Sequence, residues 1–252
     1  QGKLVLKDKN DEPASRLLER IKTENEKLIR DKKIRKEKSL PEIKPEEIPF
    51  EIPESWVWCR LGEIGIINPR NYISDELDVS FIPMNLISEK FGKQPDFETR
   101  KWKDIKSGFT HFANDDVAVA KITPCFENSK ACIFKNLIHG YGAGTTELHV
   151  FRGYSRLLLP EYIFINLKTT KFLRDGERIM RGVAGQQRVP TEYFRNYLIP
   201  LPPSNEQNRI FIKTLQLMTL CDELELTIQQ NQNHTKELLQ VVLKEALEPK
   251  TN

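Results

Sequence analysis

The sequence predicts an α+β fold: a mostly antiparallel β domain with a few helices, preceded by a short N-terminal helix and followed by a long coiled-coil helix. Three observations predict it. Between Trp56 and about Gly153, short runs of β-branched and aromatic residues alternate with turn residues, the pattern of strands in an antiparallel sheet. Prolines cluster on both sides of that stretch, at Pro41, Pro45, Pro49 and Pro53 and again at Pro202 and Pro203, where neither a helix nor a central strand can continue. After the second cluster, apolar residues recur every seven positions, the period of a coiled coil.

Residues 11–38, "DEPASRLLERIKTENEKLIRDKKIRKEK", place Leu17, Leu18, Ile21, Leu28 and Ile34 at mostly helical spacing among dense charges. This predicts a helix with one narrow apolar stripe, capped by Asp11 ahead of Pro13. "SLPEIKPEEIPFEIPESW" reads as an extended linker. The runs "DVSFIPMNLI", "DVAVAKI", "KACIFKN" and "TELHVFR" supply strands, and "PEYIFINLKTTKFLRDGERI" reads as a helix. Pro160 stands at a natural first position of that helix, with Ile163, Leu167 and Leu173 on its apolar face. The last helix runs from about Asn205 to Leu247. One seam position holds Ile210, Leu217, Leu224, Asn231 and Leu238, and the other holds Thr214, Cys221, Ile228, Thr235 and Val242. Of these, Ile210, Leu217, Cys221, Leu224, Ile228, Asn231, Leu238 and Val242 are the candidates for packing against a partner helix, with Asn231 fixing register. The N-terminal helix or a helix of another chain could supply that partner. The expected division is a helical segment and linker over 1–48, the β domain over 49–203 and the spacer helix over 204–252.

A chain of 252 residues can bury a sizeable core without metal or disulfide staples. With 38% hydrophobic and 30% charged residues it reads as a soluble globular protein. No run approaches the roughly 18 apolar residues of a membrane helix, and the opening "QGKLVLKDKN" has neither an initiator Met nor an apolar signal core. The expectation is a cytoplasmic protein without membrane contact, cut from something longer. Cys59, Cys125, Cys132 and Cys221 form no CxxC pair, which argues for reduced, mostly buried thiols. The net charge is only +3, but residues 121–200 carry 12 basic and 6 acidic groups. Such a local excess suits a phosphate backbone; a solvated face on an ordinary domain is the alternative.

Catalytic motifs are not found. There is no GxxxxGK[ST] phosphate loop and no Asn-Pro-Pro-aromatic element. Gly140, Gly142 and Gly144 in "HGYGAGTTE" have the wrong spacing for a dinucleotide fingerprint and read as a loop needing positive φ. In "PDFETRK", Asp96 and Glu98 stand too close together on a loop to hold a metal. His111, His139, His149 and His234 are scattered, with only His139 and His149 able to converge. No catalytic residue, metal or cofactor is expected. DNA-reading chemistry is better represented. "GVAGQQRVP" sets Gln186, Gln187 and Arg188 on a glycine hinge; Gln pairs with adenine and Arg with guanine through two hydrogen bonds, while Gly182 and Gly185 let backbone amides approach phosphate. Lys121, Thr123, Lys130, Thr145 and Thr146 fall at strand ends or in turns.

"IPESWVWCRLGEI", "AGQQRVPTEYFRNYLIPLPPSNEQNRI" and the helix end "LLQVVLKEAL" resemble the specificity subunit of type I restriction-modification enzymes. "QGKLVLKDKNDEPASRLLERIKTENEKLI" is similar to the segment that follows that family's central conserved helix. The resemblance implies a non-enzymatic DNA-specificity module. In the family, two target recognition domains, each followed by a conserved helix, bind the halves of a bipartite sequence in double-stranded DNA, and the two helices pair as an antiparallel spacer. Modification (methyltransferase) subunits and the restriction subunit are the implied partners. Only one such unit is present here, which implies the C-terminal half of a subunit; a half-subunit forming a homodimer through the C-terminal helix is the alternative.

The resemblance also implies that AGQQRVP, shared by members that read different sequences, does not choose bases but clamps domain to helix or holds a phosphate. Base choice then falls to loops such as "NPRNYISDE", "KITPCFENSK" and "GYGAGTTE". The DNA-binding candidates are therefore Arg70, Asn71, Tyr72, Lys121, Thr123, Lys130, Thr145 and Thr146, with Arg181 and Arg188 as phosphate contacts. Two other readings are the recognition and helical part of a fused methyltransferase-nuclease, and a structural coiled-coil adaptor.

Overall fold

A computed structural model describes residues 2–247. The elements are α1 (Ala14–Arg30), β1 (Val57–Arg60), α2 (Leu61–Ile64), β2 (Gly65–Ile67), β3 (Asp78–Ile82), β4 (Glu98–Lys101), α3 (Trp102–Ile105) and β5 (Thr110–Ala113), then β6 (Val117–Ala120), β7 (Ala131–Ile133), β8 (Tyr141–Gly144) and β9 (Leu148–Gly153). They continue with α4 (Pro160–Leu167), α5 (Thr170–Glu177), α6 (Thr191–Asn196), β10 (Leu198–Leu201) and α7 (Ser204–Leu247). The fold is α+β. The strands form a two-stranded pair β1–β10 and two four-stranded sheets, ordered β2-β9-β6-β7 and β4-β3-β8-β5. Among the described residues β3 beside β8 is the only parallel pair. The chain divides into one unit ending at Phe211 and a second starting at Ile212.

The helix expected over 11–38 spans only Ala14–Arg30 and ends short of Ile34, but the predicted apolar stripe is buried in the first unit. Ala14, Leu17 and Ile21 belong to the main apolar cluster, with Leu18, Leu28 and Ile34 packed against it. Asp11 is not the cap expected of it. Pro13 occupies the cap position without a side-chain bond, and the Asp11 carboxylate pairs with the Arg209 guanidinium. That partner holds its carboxyl below the usual carboxylate range.

The proline-rich stretch is extended except for a 3-10 turn at Pro45–Glu47, where the expected extended linker is interrupted, and it is strapped down. Arg60, 3% exposed, donates to Pro41 O at 2.8 Å and Glu42 O at 3.2 Å and pairs with the Glu47 carboxylate at 2.9 Å. A buried guanidinium needs its donors satisfied, and the backbone of the strap supplies acceptors. The β1–β10 pair, with Val57 opposite Leu201, brings the two ends of the β region together.

The helix expected across 160–179 is two helices. Thr169 accepts a hydrogen bond from Phe172 N–H at 3.3 Å and so caps a new start, the role for which a Thr side chain is suited. Gly140 has the positive φ expected of it, 79°. Gly142 and Gly144 do not. They lie within β8, where a Cβ would strike the Phe112 ring and the Ser80 and Ile82 carbonyls, so close approach between strands is what excludes a side chain there. Of the cysteines, Cys59 and Cys132 are buried, Cys125 is half-buried and Cys221 is exposed.

The first turns of α7 belong to the first unit. Glu206 accepts from Trp56 Nε1–H at 2.9 Å. The Gln207 side chain accepts from Leu159 N–H at 2.9 Å and donates to Pro202 O at 3.1 Å, and Ile210 closes the apolar cluster. Ile210, expected on the partner seam, is therefore a core residue of its own unit. From Ile212 onward the helix keeps its heptads on the surface: Leu217, Cys221, Leu224, Ile228, Asn231, Leu238 and Val242 are all exposed. The last five residues of the expected 204–252 segment lie outside the described residues. No helix among the described residues is long and apolar enough to cross a membrane.

Candidate nucleic-acid interface

Strand register collects most of the candidate residues at one end of the β2-β9-β6-β7 sheet. Ala120 lies opposite Leu148, and Val119 opposite Ala131. Lys121 and Thr123 therefore leave β6 at the same end where Lys130 enters β7 and Thr145–Glu147 enter β9. Lys121 N–H donates to Glu147 O at 2.9 Å. Thr146 is exposed, Lys130 is half-buried, and the half-buried Thr145 accepts from Glu147 N–H at 3.2 Å. Burial also holds the Lys121 ammonium below the ordinary lysine range.

The AGQQRVP segment is stitched onto this end. Arg181 and Arg188 exchange backbone bonds at 3.0 and 2.8 Å, Thr123 N–H donates to Gln187 O at 3.0 Å, and Val189 N–H donates to Lys121 O at 2.8 Å. Gln187 N–H donates to Thr123 Oγ1 at 3.1 Å. Gly182 and Gly185, at φ 129° and 76°, turn the exposed tip. The Arg188 guanidinium grips Glu147 with two bonds of 2.8 and 2.9 Å, and this pairing holds the Glu147 carboxyl below its usual range. Beneath, His149 donates from Nε2 to Val189 O at 2.8 Å, and burial pushes its pKa down to about 4, so the imidazole is neutral. The segment is a clamp, and what it clamps is the exit of β6 to the chain leading into α6. Arg188 is engaged by Glu147 and Thr123 is 9% exposed inside the clamp, whereas Arg181 is exposed and, like Lys130, has no ion pair among the described residues.

Arg70, Asn71 and Tyr72 form a second group. They follow β2 through Asn68, whose φ of 53° turns the chain while its side chain accepts from Val150 N–H at 3.0 Å. Asn71 points inward. Its Nδ2 donates to Phe112 O at 2.8 Å, and its Oδ1 accepts from Arg152 Nη2 at 3.0 Å. Arg152 in turn binds the buried Asp116 at 2.7 Å. The Asn71 N–H donates to His111 Nδ1 at 3.1 Å, which fixes the ring hydrogen on Nε2, facing Lys106 O at 2.9 Å; burial lowers the basicity of this ring as well. Asn71 therefore holds its neighbours in place, and its amide is not free for a base. Arg70 is exposed and Tyr72 is 87% exposed. Both line a cleft of about 560 Å³ with Trp102, Lys106 and His111.

Glu147, Asp116 and Arg152 were not among the residues the sequence singled out. Their partners stand 36 to 81 positions away, and no local motif announces such pairs. His139 and His149 have separate backbone partners, Asp78 O and Val189 O, and the described residues contain no group of three or more His, Cys, Asp or Glu that could hold a metal.

No family model matches the chain. Two curated proteins of Escherichia coli do. The type I restriction enzyme EcoAI specificity subunit is 56% identical over 226 residues, and the EcoEI specificity subunit 53% over the same length. Each match covers 89% of this chain and 38% of the relative, so the chain spans well under half the length of the subunits it matches. Among solved structures, the HsdS subunit from Thermoanaerobacter tengcongensis superposes with a TM-score of 0.63 at 24% identity, over 81% of this chain and 53% of that one. A chain from a structure of type I R-M complex assembly and conformational transition gives 0.59 at 17% identity, over 94% and 55%. At these identities the two structures attest the fold.

Proposed function

This chain is homologous over 89% of its length to a segment of type I restriction enzyme specificity subunits, and from that premise we propose that it reads one half of a bipartite target in double-stranded DNA. It does so by binding, without catalysing a reaction. The homology is the observation that carries the reading. The geometry agrees with it: Lys121, Lys130, Thr146 and Arg181 are gathered at one sheet end by strand register, and exposed Arg70 and Tyr72 stand on a loop anchored by Asn71. Cations and backbone amides hold phosphates, while loop side chains reach base edges. The recognition domain covers about 49–203, strapped to residues 1–48 by Arg60. The heptads of α7 set the spacing to the second half-site and dock modification and restriction subunits, or a second copy of the chain.

Selection from a random duplex pool tests this. The chain is assembled with its methylating partner subunits at near-physiological salt, because phosphate contacts dominate at low salt. A short constant half-site is expected, weakened by Lys130→Ala and Thr146→Ala. Recovery of unenriched DNA from a correctly assembled complex overturns sequence recognition and leaves a helical adaptor as the better account.

A further inference from the structure

The helix α1 ends on a lysine where glycine is usual. Lys32 adopts φ 57°, a left-handed conformation that non-glycine residues rarely take. The turn is closed by Asp31 N–H to Lys27 O at 2.8 Å, Lys32 N–H to Ile29 O at 3.0 Å and Lys33 N–H to Leu28 O at 2.9 Å. It folds the chain back so that Ile34 packs on the apolar cluster beside Leu28.

With Ile34 seated, Lys32, Lys33 and Arg35 line one side of a cleft of about 600 Å³, and Asn68, Arg70 and Tyr72 line the other. Glu37 is the only acid in that lining, and its carboxylate is taken by Arg195 Nε at 3.0 Å. Arg152, also in the lining, is taken by Asp116. Lys32, Lys33, Arg35 and Arg70 have no ion pair among the described residues. Four cations along one groove repel each other, and among the described residues none has a carboxylate paired with it. A row of phosphates balances them, and the exposed Tyr72 ring offers a face to a sugar or base beside it.

We infer that Lys32, Lys33 and Arg35 hold the phosphodiester backbone of the strand that passes Arg70 and Tyr72, which makes residues 32–35 part of the nucleic-acid interface. The inference rests on the DNA-binding reading above. Three phosphate contacts act without regard to sequence, so they set affinity and salt dependence while leaving the half-site unchanged.

The test compares the parent chain with the triple variant K32Q/K33Q/R35Q, each assembled with the modification subunits. Binding to the selected half-site is measured between about 50 and 200 mM salt. A second triple variant, K3Q/K7Q/K9Q, removes the same charge from the exposed N-terminal residues. The slope of log affinity against log salt is expected to fall by about one unit per lost contact in the first variant, to stay near the parent value in the second, and the half-site is expected to be unchanged in both. An unchanged slope in the first variant, or an equal loss in both, overturns the inference and leaves the DNA-binding reading standing. A changed half-site also overturns it, since the residues would then read bases. A parent complex that selects no half-site overturns the reading itself and the inference with it.

Discussion

The unit ending at Phe211 and the helix beyond Ile212 treat their side chains in opposite ways, although α7 runs through both. In the first unit some polar side chains are fully enclosed with their partners beside them: Gln207 is 0% exposed with both amide atoms bonded, and Asp116 at 1% meets Arg152. In the second, leucines stand on the surface, with Leu224 54% and Leu238 66% exposed. A helix with its apolar seam in water gains little from burial, and most helical stability in proteins comes from such burial. The first unit is therefore stabilised by its own interior, and the second keeps its apolar seam exposed. All three tryptophans, Trp56, Trp58 and Trp102, precede Phe211, so indole fluorescence reports on the first unit alone.

Four changes test this contrast, from the largest effect to the smallest. Arg152→Met leaves the Asp116 carboxylate buried without its partner, a loss of about 3–5 kcal/mol, seen as a lower denaturant midpoint by fluorescence; a loss below about 1 kcal/mol would show that the network is solvated. Acid is next. The folded pKa of His149 is pushed down by burial to about 4, from the ordinary imidazole value of 6.5, so folding favours the neutral ring. Its stabilisation is complete above pH 6.5 and is lost as pH falls from there to 4, amounting to about 3 kcal/mol. His149→Gln, which can keep the bond to Val189 O, is expected to flatten that part of the stability-against-pH curve, and an unchanged slope would assign the loss to other groups. Gln207→Leu strands Leu159 N–H and costs about 2 kcal/mol in a thermal melt. Leu224→Asp with Ile228→Asp is expected to shift the fluorescence midpoint by less than about 0.5 kcal/mol, while abolishing helix-mediated association in sedimentation. A midpoint that dropped with the seam mutations would erase the distinction between the two units.

The same contrast explains which parts of the site could be read in advance. Strand ends at Lys121, Lys130 and Thr146 were legible, because alternation and turn residues mark where strands stop. The inward turn of Asn71 was not: it depends on Phe112 O and Arg152, 41 and 81 positions away. The Arg188 grip on Glu147 spans 41 positions, and no local motif marks that carboxylate as the partner of a residue expected at a phosphate. Lys32 and Lys33 fell within the charged helix expected over 11–38, and the left-handed turn at Lys32 instead places them in the lining of a cleft shared with Arg70.

Local chemistry alone determined the element types. Pro160 opens a helix because its missing N–H is not needed there, the prolines from 41 to 53 keep that stretch free of α-helix and strand, and a seven-residue period sets the seam of α7, all through interactions between near neighbours in the chain. Tertiary structure alone decided the burial of Ile210 away from the seam it shares by period, the strap that Arg60 makes of the linker, and the clamp formed by AGQQRVP. Each of these depends on which distant carbonyl, carboxylate or ring arrives beside a side chain, and a buried polar group takes the partner that the folded chain brings to it.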